Sequence, residues 1–155
     1  MAFDSAAVTA ITQALVSAAQ KLALFEHVNG HEPRAAPATG LSMGIWMGPF
    51  GPLPRVSGLA ATSVRAEFQA RIYLSAEQHP LDGIDPRVTG AAAQFFSTLS
   101  GGFTLGGQVM EVDLLGAYGA PLSGTPGYIS HDSKFFRVMN LVIPVIVDGT
   151  FGQAP

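Results

Sequence analysis

The apolar positions of the chain follow two periodicities. From Asp4 to about Leu24, the residues Val8, Ile11, Leu15 and Leu22, with Ala14, Ala18 and Ala19 between them, recur at the spacing that lines one face of a helix. That spacing predicts an N-terminal helix. Asp4 stands where its carboxylate can cap the free backbone N–H groups, and Phe3 precedes it as a partner for Val8 in a hydrophobic staple. From Ser63 to Leu74 the period changes to two: Val64, Ala66, Phe68, Ala70, Ile72 and Leu74 alternate with Ser63, Arg65, Glu67, Gln69, Arg71 and Tyr73. Alternation of this kind predicts a strand with one face on a core and the other toward water or a partner.

The remaining elements are read from breakers and shorter patterns. A short strand is expected near Phe25–Val28, followed by a loop through Asn29, Gly30, Pro33 and Pro37. Leu41 to Pro54 mixes large apolar side chains with glycine and proline, and is expected to be strand only up to about Gly48. His79-Pro80-Leu81-Asp82-Gly83 is turn chemistry. Asp85 as cap with Pro86 at the first helical position then opens a second helix, whose stripe is Val88, Ala91, Ala92, Phe95 and Leu99 and whose stop is Ser100-Gly101-Gly102. Gln108 to Leu115 alternates again, with Met110, Val112 and Leu114 on one face and Glu111 and Asp113 on the other, which predicts a strand. Gly116 to Ser133, holding Gly119, Pro121, Gly124, Pro126 and Gly127, reads as a long irregular loop. Phe135 to Asp148 closes the chain as a strand in which Pro144 marks an edge, a bulge or an end. The order is helix, strands, helix, strands, with no βαβ alternation and no repeat. It predicts a single α+β domain over residues 1–155, a mainly antiparallel sheet with two helices packed on one face.

Composition narrows the function. Charged residues are 12% of the chain, against roughly 25% in an average soluble domain. Ordinary hydrophobicity with little charge is the reverse of the signature of disorder. The shortage of charge suggests that other subunits cover part of the exterior. A net charge of −3 and the lack of any basic run argue against nucleic-acid binding and against an anionic-membrane anchor. With no cysteine, disulfides, thiolate ligands and cysteine nucleophiles are all excluded. The opening residues carry an acid at Asp4 and no base before Lys21, the wrong charge order for a secretory peptide. Leu141 to Val147 is far short of the ~18 residues of a membrane-spanning helix, so no membrane is expected.

No catalytic, cofactor or metal site is expected. His27 and His31 sit across an Asn-Gly turn with no Glu between them, so helical zinc-ligand geometry is missing, and His79 and His131 flank turn residues. His131-Asp132-Ser133 has the residue types of a hydrolase triad, but neighbours on one loop cannot line up nucleophile, base and orienter. The pairs Gly101-Gly102 and Gly106-Gly107 lack phosphate-loop spacing. Glu111 and Asp113 share a strand face without a third carboxylate nearby in sequence to complete a divalent-ion site. What remains is apolar: Met43, Ile45, Trp46, Met47 and Phe50 among glycines and prolines. These residues read either as an inter-subunit contact or as core beneath a loop.

The whole pattern is similar to the tail terminator proteins of long-tailed, siphovirus-type bacteriophages, particularly those infecting actinobacteria. The resemblance spans nearly the full chain. It is carried by the helix Val8–Leu24, Phe25-Glu26-His27-Val28-Asn29, the strand Val64–Leu74, the helix start Asp85-Pro86-Arg87-Val88, and the closing Lys134-Phe-Phe-Arg-Val-Met-Asn-Leu-Val-Ile-Pro-Val-Ile-Val-Asp148. It implies a structural subunit that forms a homohexameric ring on the last ring of the tail tube, ends tube growth and presents a joining surface to a head-completion or neck protein. Its partners would be itself, the tube protein and the neck. Its place would be the head-proximal end of the tail in the virion, after assembly in the host cytoplasm. DNA would pass through the lumen without specific binding, and six copies of −3 would place −18 formal charges around it. In such a ring Glu111 and Asp113 either line the channel or merely solvate the outer surface. Another neck or tail-tube protein and a small-ligand-binding α+β module are the alternatives.

Overall fold

The segment with the strict two-residue period lies at the centre of the architecture. The computed structural model describes residues 2–37, 39–53 and 61–152. In chain order they form α1 (Ser5–Gln20), β1 (His27–Asn29), β2 (Ser42–Pro52), β3 (Ala61–Ser75), a 3₁₀ turn (Leu81–Gly83), α2 (Ile84–Gly101), β4 (Glu111–Val112), β5 (Ser123–His131) and β6 (Lys134–Gly152). The sheet runs β1-β2-β3-β6, and β5 and β4 follow one another along the outer edge of β6. Every pairing is antiparallel except that of β1 with β2. The molecule is the α+β fold that the pattern predicts.

Alternation along β3 decides which face is covered. Val64, Ala66, Phe68, Ala70, Ile72 and Leu74 are all buried, facing Met43 and Ile45 of β2 and Leu141, Ile143, Val145 and Val147 of β6 on the same side. Both helices pack there. α1 contributes Ile11, Leu15 and Ala19, and α2 contributes Ile84, Val88, Ala91, Ala92, Phe95 and Leu99. Burial of a Leu-, Ile- or Phe-sized side chain is worth about 1.5–3 kcal/mol, so this cluster supplies most of the drive to fold.

The helix ends differ in detail from the sequence reading. Asp4 does cap α1, accepting the Ala7 N–H at 3.0 Å. The helix stops at Gln20 rather than Leu24, and Ala23 turns the chain at φ 55°. Phe3 sets its ring 5.2 Å from that of Phe50, tying the start of α1 to β2. In α2 the cap position belongs to Gly83 and Pro86 is the third helical residue. Asp85 instead accepts from Arg137 Nε at 2.9 Å.

Three strands also depart from expectation, each for a local reason. β2 continues past Gly48 to Pro52 because the ladder with β3 slips between Met47 and Phe50, and the bulge takes up the extra residue around Pro49. Pro54 lies outside the described residues. The predicted loop from Gly116 to Ser133 contains β5, which forms a hairpin with β6. Asp132 (φ 51°) and Ser133 (φ 64°) turn that hairpin with positive φ at both central positions, as a tight two-residue connection requires. β5 holds Gly124, Pro126 and Gly127, tolerable because it is an edge strand. Finally, the strand expected over Gln108–Leu115 shrinks to Glu111–Val112, since the Leu114 N–H bonds back to the Val112 carbonyl at 2.9 Å and breaks the alternation.

Pro144 lies within β6 opposite Glu67. Its carbonyl accepts the Asp113 N–H at 2.8 Å, so its backbone faces away from β3, at the gap where β5 pairing ends at Val142 and β4 pairing begins at Val145. No ladder hydrogen bond is lost there.

A Cβ on Gly48 would stand 2.3 Å from the Glu67 carbonyl oxygen, whereas one on Gly51 would meet nothing within 4 Å. Gly48→Ala should therefore cost about 1–3 kcal/mol of unfolding free energy in urea melts, and Gly51→Ala less than about 1 kcal/mol. Equal effects would show that the bulge does not constrain residue 48.

Candidate functional surface

With both helices on one side, the other side of the sheet, the open face, carries no helix, although Tyr73, Phe136 and Val138 on it are buried in a small cluster with Ala36 and Ile129. β3 presents Arg65, Glu67, Gln69, Arg71 and Tyr73 there, beside Ser42, Gly44 and Trp46 of β2 and Val138, Asn140, Val142, Pro144 and Ile146 of β6. The two arginines are held in opposite ways. Arg65 donates from Nη1 to Glu67 at 2.8 Å, from Nε and Nη2 to Asp113 Oδ2 at 3.4 Å, and from Nη2 to the Ala120 carbonyl. Its charge is compensated inside the subunit. Arg71 has no carboxylate partner among the described residues. Its guanidinium lies 5.6 Å from the Trp46 ring centroid and 5.8 Å from that of Tyr73, and it donates to Asn140 Oδ1 at 2.6 Å and to the Tyr73 hydroxyl at 3.5 Å. Stacking on two rings is worth about 0.5–1 kcal/mol each at exposed sites and leaves donors free for an incoming acceptor. Burial holds the Tyr73 phenol above its ordinary pKa, so it stays neutral near pH 7.

Strand alternation divides the apolar cluster of β2. Met43 and Ile45 are fully buried in the subunit's own core, where no neighbouring subunit can touch them. Met47 lies at the margin of that core, Trp46 is half-buried on the opposite face beneath Arg71, and Phe50 is 58% exposed. β1 pairs only with Ser42 to Gly44, so beyond that point β2 is itself an edge of the sheet.

The two acids differ in burial. Glu111 is half-buried on the open face opposite Ile146. Asp113 is only 3% exposed: besides Arg65, it accepts the N–H groups of Ala117 at 2.8 Å and Tyr118 at 3.0 Å. It organises the loop that follows β4 and is buried, a correction to its expected exposure to solvent or a lumen, although it stays with Glu111 on the face of Arg65.

A feature not legible in the sequence is the aromatic pair on the β5–β6 hairpin. Tyr128 (57% exposed) and Phe135 (50% exposed) stack at 5.2 Å with an interplanar angle of 5°, and Arg137 sits 4.4 Å above Tyr128. With its glycines and prolines, Gly116 to Ser133 reads as loop in the sequence, so nothing there places Tyr128 against Phe135.

Among the described residues no three His, Asp or Glu side chains come together as a metal site, and no helix is long and apolar enough to cross a membrane. His131 and Asp132 are 3.7 Å apart, yet the Asp132 carboxylate is used to accept the Ala36 N–H at 2.9 Å.

No family model and no curated protein matches the chain. Among solved structures it is similar to the sheath/tube terminator of an extracellular contractile injection system, the PVC, seen in the extended state by cryo-EM. The TM-score is 0.44 and the identity 11%, over 94% of this chain and 58% of that one. The chain thus spans little more than half the length of that protein, and no residue role is transferred from it.

Because Asp113 is the buried partner of Arg65, Asp113→Ala should lower stability by about 3 kcal/mol, while Glu111→Ala should stay within about 0.5 kcal/mol. Guanidinium denaturation of the two variants checks this, and a harmless Asp113→Ala would mean that Arg65 is satisfied without it.

Proposed function

We propose that this chain is a tail-terminator-type structural subunit, one domain over residues 1–155, that closes into a homohexameric ring at the head-proximal end of a phage-like tail. The observation that carries this reading is the presence of two unlike contact patches at opposite edges of one sheet. On the β2 edge stand Trp46, Met47 and Phe50; on the β5 edge stand Tyr128 and Phe135. Unlike patches on opposite sides are what a head-to-tail interface needs, and head-to-tail interfaces generate rings when the rotation closes. A chain so poor in charge can also lose much of its surface to neighbours at little desolvation cost. The sequence resemblance to siphovirus tail terminators supplies the partners: the tube protein on one ring face and a neck or head-completion protein on the other.

Rings of six should be visible by mass photometry and negative-stain microscopy, at high concentration or on tail tubes. Trp46→Ala should weaken assembly at least tenfold while shifting the subunit's melting temperature by only a few degrees. A protein that is monomeric at every concentration and does not bind tubes would sink the reading.

In such a ring Glu111 would line the channel, and the net −18 of six subunits would keep duplex phosphates from sticking. Glu111→Lys should leave rings intact but make particles retain or eject DNA abnormally, an effect that fades as salt rises. Normal infectivity would place Glu111 outside the lumen.

A further inference from the structure

The loop after β1 does not run free of the sheet but crosses back over its open face. A Cβ on Gly44 would stand 2.9 Å from Pro33 Cδ and 3.0 Å from the His31 carbonyl oxygen, so the loop lies directly on β2 at a position only glycine leaves clear. The loop is tied down further along as well. Asp132 accepts the Ala36 N–H at 2.9 Å, and the Thr39 carbonyl accepts from the Ser75 N–H at 3.2 Å and Gln78 Nε2 at 2.9 Å.

Between this roof and the sheet is a cavity of about 290 Å³, lined by His27, His31, Arg34 and Tyr73 among others. That volume is near the lower end for small-molecule sites, about 300–1,000 Å³. Its polar wall is rich in donors. Among the described residues the Arg34 guanidinium makes no ion pair or hydrogen bond, and the His27 imidazole makes none either. The Tyr73 hydroxyl already accepts from Arg71, so its own proton is free to point elsewhere. Against His27, His31, Arg34 and the adjacent Arg71, the loop supplies one acid, Glu32, whose field reaches Tyr73 without its carboxylate lining the cavity. A pocket with a forked guanidinium, the unpaired imidazole of His27 and a neutral phenol is short of one component, a group with several acceptor oxygens and negative charge.

We propose that this pocket binds a small oxyanion, a phosphate- or carboxylate-bearing molecule, with Arg34 as its charged fork, His27 and Tyr73 as further donors, Arg71 positioning the Tyr73 hydroxyl, and His31, whose Nδ1 donates to the Glu32 carbonyl at 3.2 Å, as part of the wall. The site is formed within one subunit and does not depend on ring assembly.

The test is heteronuclear NMR of the intact chain titrated with inorganic phosphate and, separately, with malonate, at fixed ionic strength. Saturable shifts should centre on His27, His31, Arg34 and the Gly44 amide. Saturation by phosphate alone or by malonate alone supports the site and identifies its ligand class. Arg34→Gln, at an exposed position, should weaken the affinity about tenfold or more, as expected for loss of a charge-assisted contact. Arg87→Gln on α2, on the helix side of the sheet and outside the pocket lining, should leave it unchanged. Gly44→Ala should push Pro33 away and abolish saturation while the amide spectrum stays dispersed. The proposal is overturned if neither anion gives a saturable shift, if shifts spread equally over Lys21, Arg87 and Lys134, or if Arg34→Gln and Arg87→Gln weaken binding alike.

Discussion

The structure hangs on the ladder between β3 and β6. The two strands pair from Ala61 with Gly152 to Ser75 with Phe136, broken only by a slip near Thr62. Because side chains alternate along both, this one register places Phe68 beside Ile143 and Ala70 beside Leu141 on the helix side, and Arg71 beside Asn140 on the other. A slip of one residue would turn every one of these side chains to the wrong face. The helices, the hairpin and the loop after β1 are therefore all positioned relative to a single pair of strands.

The same ladder explains why the functional surface is polar yet almost charge-neutral. Residues of β3 on the open face come from a stretch with two arginines and one glutamate, and the fold brings Asp113 from a distant loop to balance Arg65. Among the described residues Arg71 receives no such partner, and it is stabilised by ring faces and by Asn140. One face thus carries an internally satisfied network at one end and a guanidinium with spare donors at the other. Beside the latter, the loop over Gly44 borders the donor-lined cavity at the β1–β2–β3 corner, while the exposed aromatic rings of Phe50, Tyr128 and Phe135 sit toward the two sheet edges.

Much of this was legible in local pattern. The burial of every even residue from Val64 to Leu74, the stripe Val88-Ala91-Ala92-Phe95-Leu99, and the Asp4 cap follow from periodicity and capping chemistry that operate over a few residues. Glycine and proline misled where an edge or a bulge absorbed them. Gly124, Pro126 and Gly127 hid β5, and Gly48 and Pro49 hid the continuation of β2, because tolerance of these residues depends on which backbone groups a neighbouring strand asks for.

The sequence by itself determined the fold class, the central strand, the two helical stripes and the shortage of charge, since each is a property of spacing or composition. Tertiary structure alone decided that Met43 and Ile45 are core while Trp46 and Phe50 reach the surface, that Asp113 is buried against Arg65 while Glu111 is not, and that Tyr128 stacks on Phe135. The physical reason is common to all three. Each outcome is set by a partner strand or loop far away in sequence, whose register fixes orientation and burial, and no local pattern encodes what lies across a sheet.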